Sequence, residues 1–243
     1  MGRIIVIIGS LIVTTIFTLY TFWLPNIGDK STIEIINRLP LLISPASYVY
    51  IFWFFLFIVL FIWAFSYSKN RKSESFVSPL QTILFFIAML LQILSIYLWN
   101  KEMLFYSLIC IGLQLFALFA LYLTYPMQGD YLKKRMPIAI YFGWTTFIFI
   151  INACYLLVYN EWNRFGLSDA LWAVIILTFA TLVALHLRYH HHDIAYPLVF
   201  VWCFIGIAIA NGFDELLVTT SALFLSGVLI VGVLFMKKNP VRL

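Results

Sequence analysis

Eight stretches of this sequence are continuous in Ile, Leu, Phe and Val and are bounded by charge, Pro, Gly or Asn. They are Ile4 to Leu24, Tyr48 to Ser66, Leu80 to Trp99, Met103 to Tyr125, Ile138 to Tyr159, Ala170 to Leu187, Ile194 to Ala210 and Leu216 to Met236. Each has, or nearly has, the roughly 20 residues that a helix needs to cross the hydrocarbon of a bilayer. In lipid an unsatisfied backbone amide or carbonyl costs several kcal/mol, so only helices and closed barrels cross it. The alternating apolar and polar residues of a barrel strand are absent. With 64% apolar and 10% charged residues over 243 positions, the chain lacks the polar surface to cover a water-soluble domain. The expected fold is therefore an all-α integral membrane protein, a polytopic bundle of about eight transmembrane helices. Asn100 to Glu102 and Asn211 to Glu215 leave room only for tight hairpins between the spans they join.

Sidedness follows from the basic residues, because short cytoplasmic loops retain Lys and Arg. With the N-terminus inside, the cytoplasmic segments hold Arg3; Lys69, Arg71 and Lys72; Lys133, Lys134 and Arg135; Arg188; and Lys237, Lys238 and Arg242. The opposite side holds only Lys30, Arg38, Lys101 and Arg164. Both termini are accordingly expected in the cytoplasm. The net charge of +5 then faces anionic lipid and calls for no nucleic acid. Met1 to Leu24 is too long in its apolar part for a signal peptide and shows no small-residue cleavage site, so it reads as the first span.

The spans carry no acid or base away from their ends, apart from His186 near one end. Coupled transport, a retinal Schiff base and hydrolysis all need such groups, so no catalytic residue is assigned and an enzyme is disfavoured. The cysteines Cys110, Cys154 and Cys203 lie singly in apolar runs and read as small hydrophobes. The one polar cluster is Tyr189-His190-His191-His192-Asp193. On a helix His186 and His190 share a face, with Asp193 a turn further, which makes them candidate metal ligands; the competing reading is an interfacial loop. Ser31 to Glu34 has a capping-box pattern before Ile35 and Ile36, which suggests a short amphipathic helix at the outer surface or a loop resting on headgroups. Trp23, Trp99 and Trp162 fall at span ends, where indole rings favour the interface.

Two segments carry more information. Pro45-Ala46-Ser47-Tyr48-Val49-Tyr50-Ile51-Phe52-Trp53 places a proline at the start of the second span and an aromatic-x-x-Trp element inside it. Arg135-Met136-Pro137 leads into Tyr141-Phe142-Gly143-Trp144 and on to Asn152. Tyr141, Trp144, Ile148, Asn152 and Tyr155 follow helical spacing, so they form one polar-aromatic stripe that should face the bundle interior. Packing against neighbouring helices and a pocket for a flat apolar ligand both account for it.

Pro45, Tyr50 and Trp53, and Pro137, Trp144 and Asn152, resemble the second and fifth helices of the translocator protein / tryptophan-rich sensory protein family, in particular its longer bacterial branch. Asp169 to Asn211, with Trp172, Trp202 and Gly206-Ile207-Ala208, is similar to that branch's C-terminal extension. The resemblance implies a five-helix translocator-like core over residues 1–160 and a three-helix extension over 161–243, in a bacterial plasma membrane. It also implies binding or sensing of a hydrophobic, planar ligand such as a tetrapyrrole or sterol. The ligand-binding residues would be Tyr50 and Trp53 facing Tyr141, Trp144 and Asn152. Ala46 and Phe57 stand where the family usually has a second proline and a tyrosine. Ile148 and Ile151 stand where small alanines are usual, and so would reduce the space for a ligand. Alternatives are a carrier for a small neutral or lipidic substrate and a structural subunit of a membrane complex. With no soluble domain appended, any output is expected to pass through a partner in the membrane, a second copy or another membrane protein.

Overall fold

The structure, a computed structural model, describes residues 2–24, 30–69, 77–125 and 131–236, without the side chains of residues 68, 69 and 131–133. Several residues of the charge argument, Arg71, Lys72, Lys237, Lys238 and Arg242, lie outside the described residues, as do the side chains of Lys69 and Lys133 and the start of the outer loop at Pro25.

All regular structure among the described residues is helical. In chain order the α-helices are α1 (Gly2–Trp23), α2 (Thr32–Ile36), α3 (Phe52–Lys69), α4 (Pro79–Asn100), α5 (Leu104–Leu123), α6 (Tyr131–Tyr159), α7 (Asp169–His191), α8 (Ala195–Asn211) and α9 (Leu216–Phe235). Short 3-10 turns occupy Ser47–Ile51, which leads into α3, and Arg164–Gly166. All eight expected spans correspond to helices. Seven are long and apolar enough to cross a membrane, and α8, at 17 residues, is at the short limit for doing so. Ile16, Phe116 and Phe224 are 64%, 75% and 70% exposed, an outward apolar surface that requires lipid as its solvent. The chain is a multi-pass membrane bundle.

By backbone contacts the chain divides into two compact units. The first comprises Met1–Leu39 and Ile51–Leu156, the second Pro40–Tyr50 and Leu157–Leu243. In the first unit α4 and α5 form the expected tight hairpin. The Glu102 amide donates to the Trp99 carbonyl and the Met103 amide to that of Leu98, closing a Schellman motif with Glu102 at φ 55°. α1 packs against α3 and α4. A chain of uncharged polar groups then ties four helices together. Gln92 Nε2 on α4 donates to Thr18 Oγ1 on α1 at 2.9 Å, and Gln114 Nε2 on α5 donates to Tyr141 Oη on α6 at 2.8 Å. Tyr141 Oη donates in turn to Gln92 Oε1. In hydrocarbon, where water is not available as a competitor, such links are a main source of helix specificity.

The second unit is built around α8. The Ala46 amide donates to the Gly206 carbonyl, Trp202 Nε1 to the Val49 carbonyl, and Asn211 Nδ2 to the Leu42 carbonyl at 2.8 Å. Gly206 is required by this packing, since a Cβ there would lie 2.1 Å from Val49 Cγ2.

One expectation is corrected, and two gain detail. α6 begins at Tyr131, so Pro137 lies inside the helix and removes one hydrogen bond from it, instead of setting its first turn. The arginines placed at span ends are buried: Arg135 is 2% exposed with its guanidinium 4.6 Å from the Tyr122 ring centroid. Arg188 donates to the last-turn carbonyls of α9, at Gly232 and Val233, where a cation offsets the helix dipole. Finally, α2 is the short helix anticipated from the capping box between Ser31 and Glu34. Thr32, Ile35 and Ile36 are buried, and Thr32 Oγ1 donates to Asn100 Oδ1 at 2.7 Å.

Candidate ligand site

The polar-aromatic stripe of α6 faces inward: Tyr141, Trp144 and Tyr155 are fully buried, and Asn152 nearly so. Trp144 sits between two rings at the start of α3, with centroids 4.8 Å from Phe52 and 5.6 Å from Trp53. Trp53 also stacks on Phe57 one turn further along. These contacts hold α3 against α6 and fix the indole of Trp53 on one side of a cavity within the first unit.

That cavity is lined by Trp53 of α3; Gln92, Ser95, Ile96 and Trp99 of α4; Ile111 and Gln114 of α5; Thr145, Ile148 and Asn152 of α6; Phe22 of α1; and Thr32 and Ile36 of α2. It measures about 50 Å³. That is room for only a few waters at ~10–15 Å³ each, well below the roughly 300–1,000 Å³ of small-molecule pockets. The space is therefore a narrow slot between flat side chains. A broad ligand enters only if wall side chains give way.

Of the residues named from sequence, Trp53 and Asn152 line the cavity, Trp144 supports Trp53 from behind, and Tyr141 holds the two wall amides Gln92 and Gln114 in place. Tyr50 belongs to the second unit, in the 3-10 turn, and is not a wall residue. Ile148 narrows the slot without closing it, and Ile151 is buried but not part of the wall. Trp99 departs most from its sequence reading. It is 3% exposed, with its ring centroid 4.8 Å from that of Tyr155, and it forms a wall of the cavity where an interfacial anchor was expected.

Among the described residues, the wall contains no Lys, Arg, His, Asp or Glu. Its polar groups are amides, hydroxyls and indole N–H groups. Gln92 and Gln114 were missed in the sequence, although an amide interrupting an apolar run signals an inward-facing position. Three buried donors of the wall, Trp53 Nε1, Trp99 Nε1 and Thr145 Oγ1, have no hydrogen-bond partner among the described residues.

α2 covers part of this space, and its loop is tied down beyond it. Arg38 makes a bidentate pair with Glu102 in the α4–α5 turn, at 2.8 and 3.2 Å. The hydrogen bonds to Glu102 raise the guanidinium pKa further above its already high value.

The histidine cluster does not assemble as the sequence suggested. The His186 and His190 rings do approach, with centroids 4.4 Å apart. α7 however ends at His191, and His192 turns into the left-handed region at φ 54°. Asp193 thus lies beyond the helix, where its carboxylate accepts from the Ala195 and Tyr196 amides and caps α8. Among the described residues no group of three His, Cys, Asp or Glu is arranged to hold a metal ion.

A family model described as TSPO-like protein matches residues 4–235, nearly the whole chain. No curated protein matches the chain, and no solved structure does.

Proposed function

Since the chain belongs to the TSPO-like protein family, we propose that it is a membrane-embedded binding protein of sensory type for a hydrophobic, planar ligand of the tetrapyrrole or sterol kind. The observation that carries this reading is the slot bounded by Trp53, Trp99 and Asn152. Indole faces offer a flat ligand large apolar contact area, and a few fixed polar groups set its orientation. Trp144 and Tyr141 act one layer behind the wall: the first fixes the tilt of Trp53, the second the amides of Gln92 and Gln114.

The amides and indoles that line the site are suited to binding a ligand, which is the reading proposed. The protein works in a bacterial plasma membrane with both termini in the cytoplasm, a sidedness supported by the excess of basic residues in alternate loops. Any output passes to a partner within the membrane, a second copy or another protein.

Titrating a porphyrin into the purified protein in lipid nanodiscs tests the reading through tryptophan fluorescence. Saturable quenching is expected, and it should weaken in a Trp53→Phe, Trp144→Phe double variant. Quenching of unchanged affinity in that variant removes the slot as the binding site.

A further inference from the structure

The fully buried polar atoms of the slot that lack a partner share one hydrogen-bonding character. Gln92 is already committed, donating to Thr18 and accepting from Tyr141 and Gln114, and the Gln114 amide donates to Tyr141 and Gln92. What remains without a partner is a set of donors: the indole N–H groups of Trp53 and Trp99 and the hydroxyl of Thr145, in residues 6%, 3% and 2% exposed. An indole N–H can only donate, and a hydroxyl without a partner is free to do so. A buried donor left unpaired is costly, so a ligand that supplies acceptor oxygens or nitrogens gains over one that supplies none.

Charge narrows the class further. Among the described residues no cationic side chain lines the cavity, so a carboxylate brought inside would lose its hydration without gaining a counter-ion there. An ammonium would likewise lose hydration, and it brings only donors, which leave the two indole N–H groups unpaired. A carbonyl oxygen suits the wall best: it is neutral and supplies the acceptor that an unpaired donor lacks.

We infer that this cavity selects neutral ligands bearing hydrogen-bond acceptors, such as esters, ketones or cyclic ethers on a flat apolar body, against both carboxylates and plain hydrocarbons. The inference rests on the ligand-binding reading above and names the chemical class that the site accepts. For a tetrapyrrole it means that the esterified form is preferred to the free acid.

Three probes sharing one flat skeleton test it: pyrene, methyl pyrene-1-carboxylate and pyrene-1-carboxylate. Each is titrated into the protein in phosphatidylcholine nanodiscs, read by energy transfer from tryptophan to pyrene and corrected against empty discs. The ester is expected to bind about tenfold more tightly than pyrene and at least about tenfold more tightly than the carboxylate. Thr145→Val and Trp99→Phe should each bring the ester about three- to tenfold closer to pyrene, read as the ratio of the two affinities within each variant, with circular dichroism reporting that the variants remain folded. A carboxylate that binds within about twofold of the ester, or an ester preference that survives the Thr145→Val, Trp99→Phe double variant, overturns the inference. If all three probes bind equally, the selection fails while the binding reading stands. If none binds saturably, both fail.

Discussion

Trp53 meets Trp144 edge to face, with ring centroids 5.6 Å apart and an interplanar angle of 86°. The arrangement puts the ring edge of one indole against the π face of the other, a geometry worth about 0.5–1.5 kcal/mol beyond the area buried. It also divides the labour: Trp53 forms the cavity wall, and Trp144 determines where that wall stands. Trp144→Ala should therefore destabilise the protein by about 3–5 kcal/mol, as large truncations in a packed interior do. Trp53→Phe, which keeps a ring over Phe57, should cost much less and act mainly on ligand affinity. Unfolding by denaturing detergent, followed by circular dichroism, separates the two.

The Gln92, Gln114 and Tyr141 group can be dissected without changing shape. Tyr141→Phe removes the hydroxyl that bridges the two amides. A double-mutant cycle with Gln92→Leu should return a coupling energy of about 0.6–1.7 kcal/mol, the size found for hydrogen bonds between membrane helices. A coupling indistinguishable from zero would mean that the bridge makes no net contribution.

Gly206 sets a steric limit in the second unit. With Val49 Cγ2 at 2.1 Å and Pro45 Cβ at 3.2 Å from an added Cβ, Gly206→Ala must displace one of them. The expected loss is about 1–3 kcal/mol, typical of overpacking. Val49→Ala should recover part of it, so the melting temperature of the double variant should exceed that of Gly206→Ala alone.

The Arg38–Glu102 pair is part-exposed, with side chains 30% and 38% accessible, so its effect on global stability should be no more than about 1 kcal/mol after solvent screening. Its influence should be local. Glu102→Gln is expected to speed amide hydrogen exchange across residues 31–38 while leaving α4 and α5 protected, and high salt should mimic it in the unmodified protein. Mass spectrometry of exchanged peptides reads both effects.

How much of this was legible beforehand depends on the kind of interaction involved. Span positions follow from apolar run length, which a bilayer constrains so tightly that every expected span corresponds to a helix. The inward stripe of α6 follows from helical spacing, and Tyr141, Trp144 and Asn152 lie where that spacing puts them. Periodicity does not tell which neighbour a side chain meets. Trp99 sits at the end of a span, where indoles often mark the interface, yet the cover provided by α2 and contact with Tyr155 turn it into a cavity wall. The Gln92–Tyr141 link joins positions 49 residues apart, and no local pattern announces it. Pro137 misled in the opposite direction. Its ring fixes a φ that a helix accepts, so α6 runs from Tyr131 through Pro137 with one hydrogen bond fewer.

The stretch from Pro40 to Tyr50 belongs to the same compact unit as the last helices, and Leu42 and Asn211, which bond there, are 169 positions apart. At a synthesis rate of roughly 5–20 residues per second, their partnership waits about 8–34 s after Leu42 is made. Throughout that interval the ribosome has delivered one half of a contact and not the other. The early spans must tolerate an unfinished neighbour inside the translocon, and a chain cut after the fifth span would keep this segment while losing everything it is built to meet.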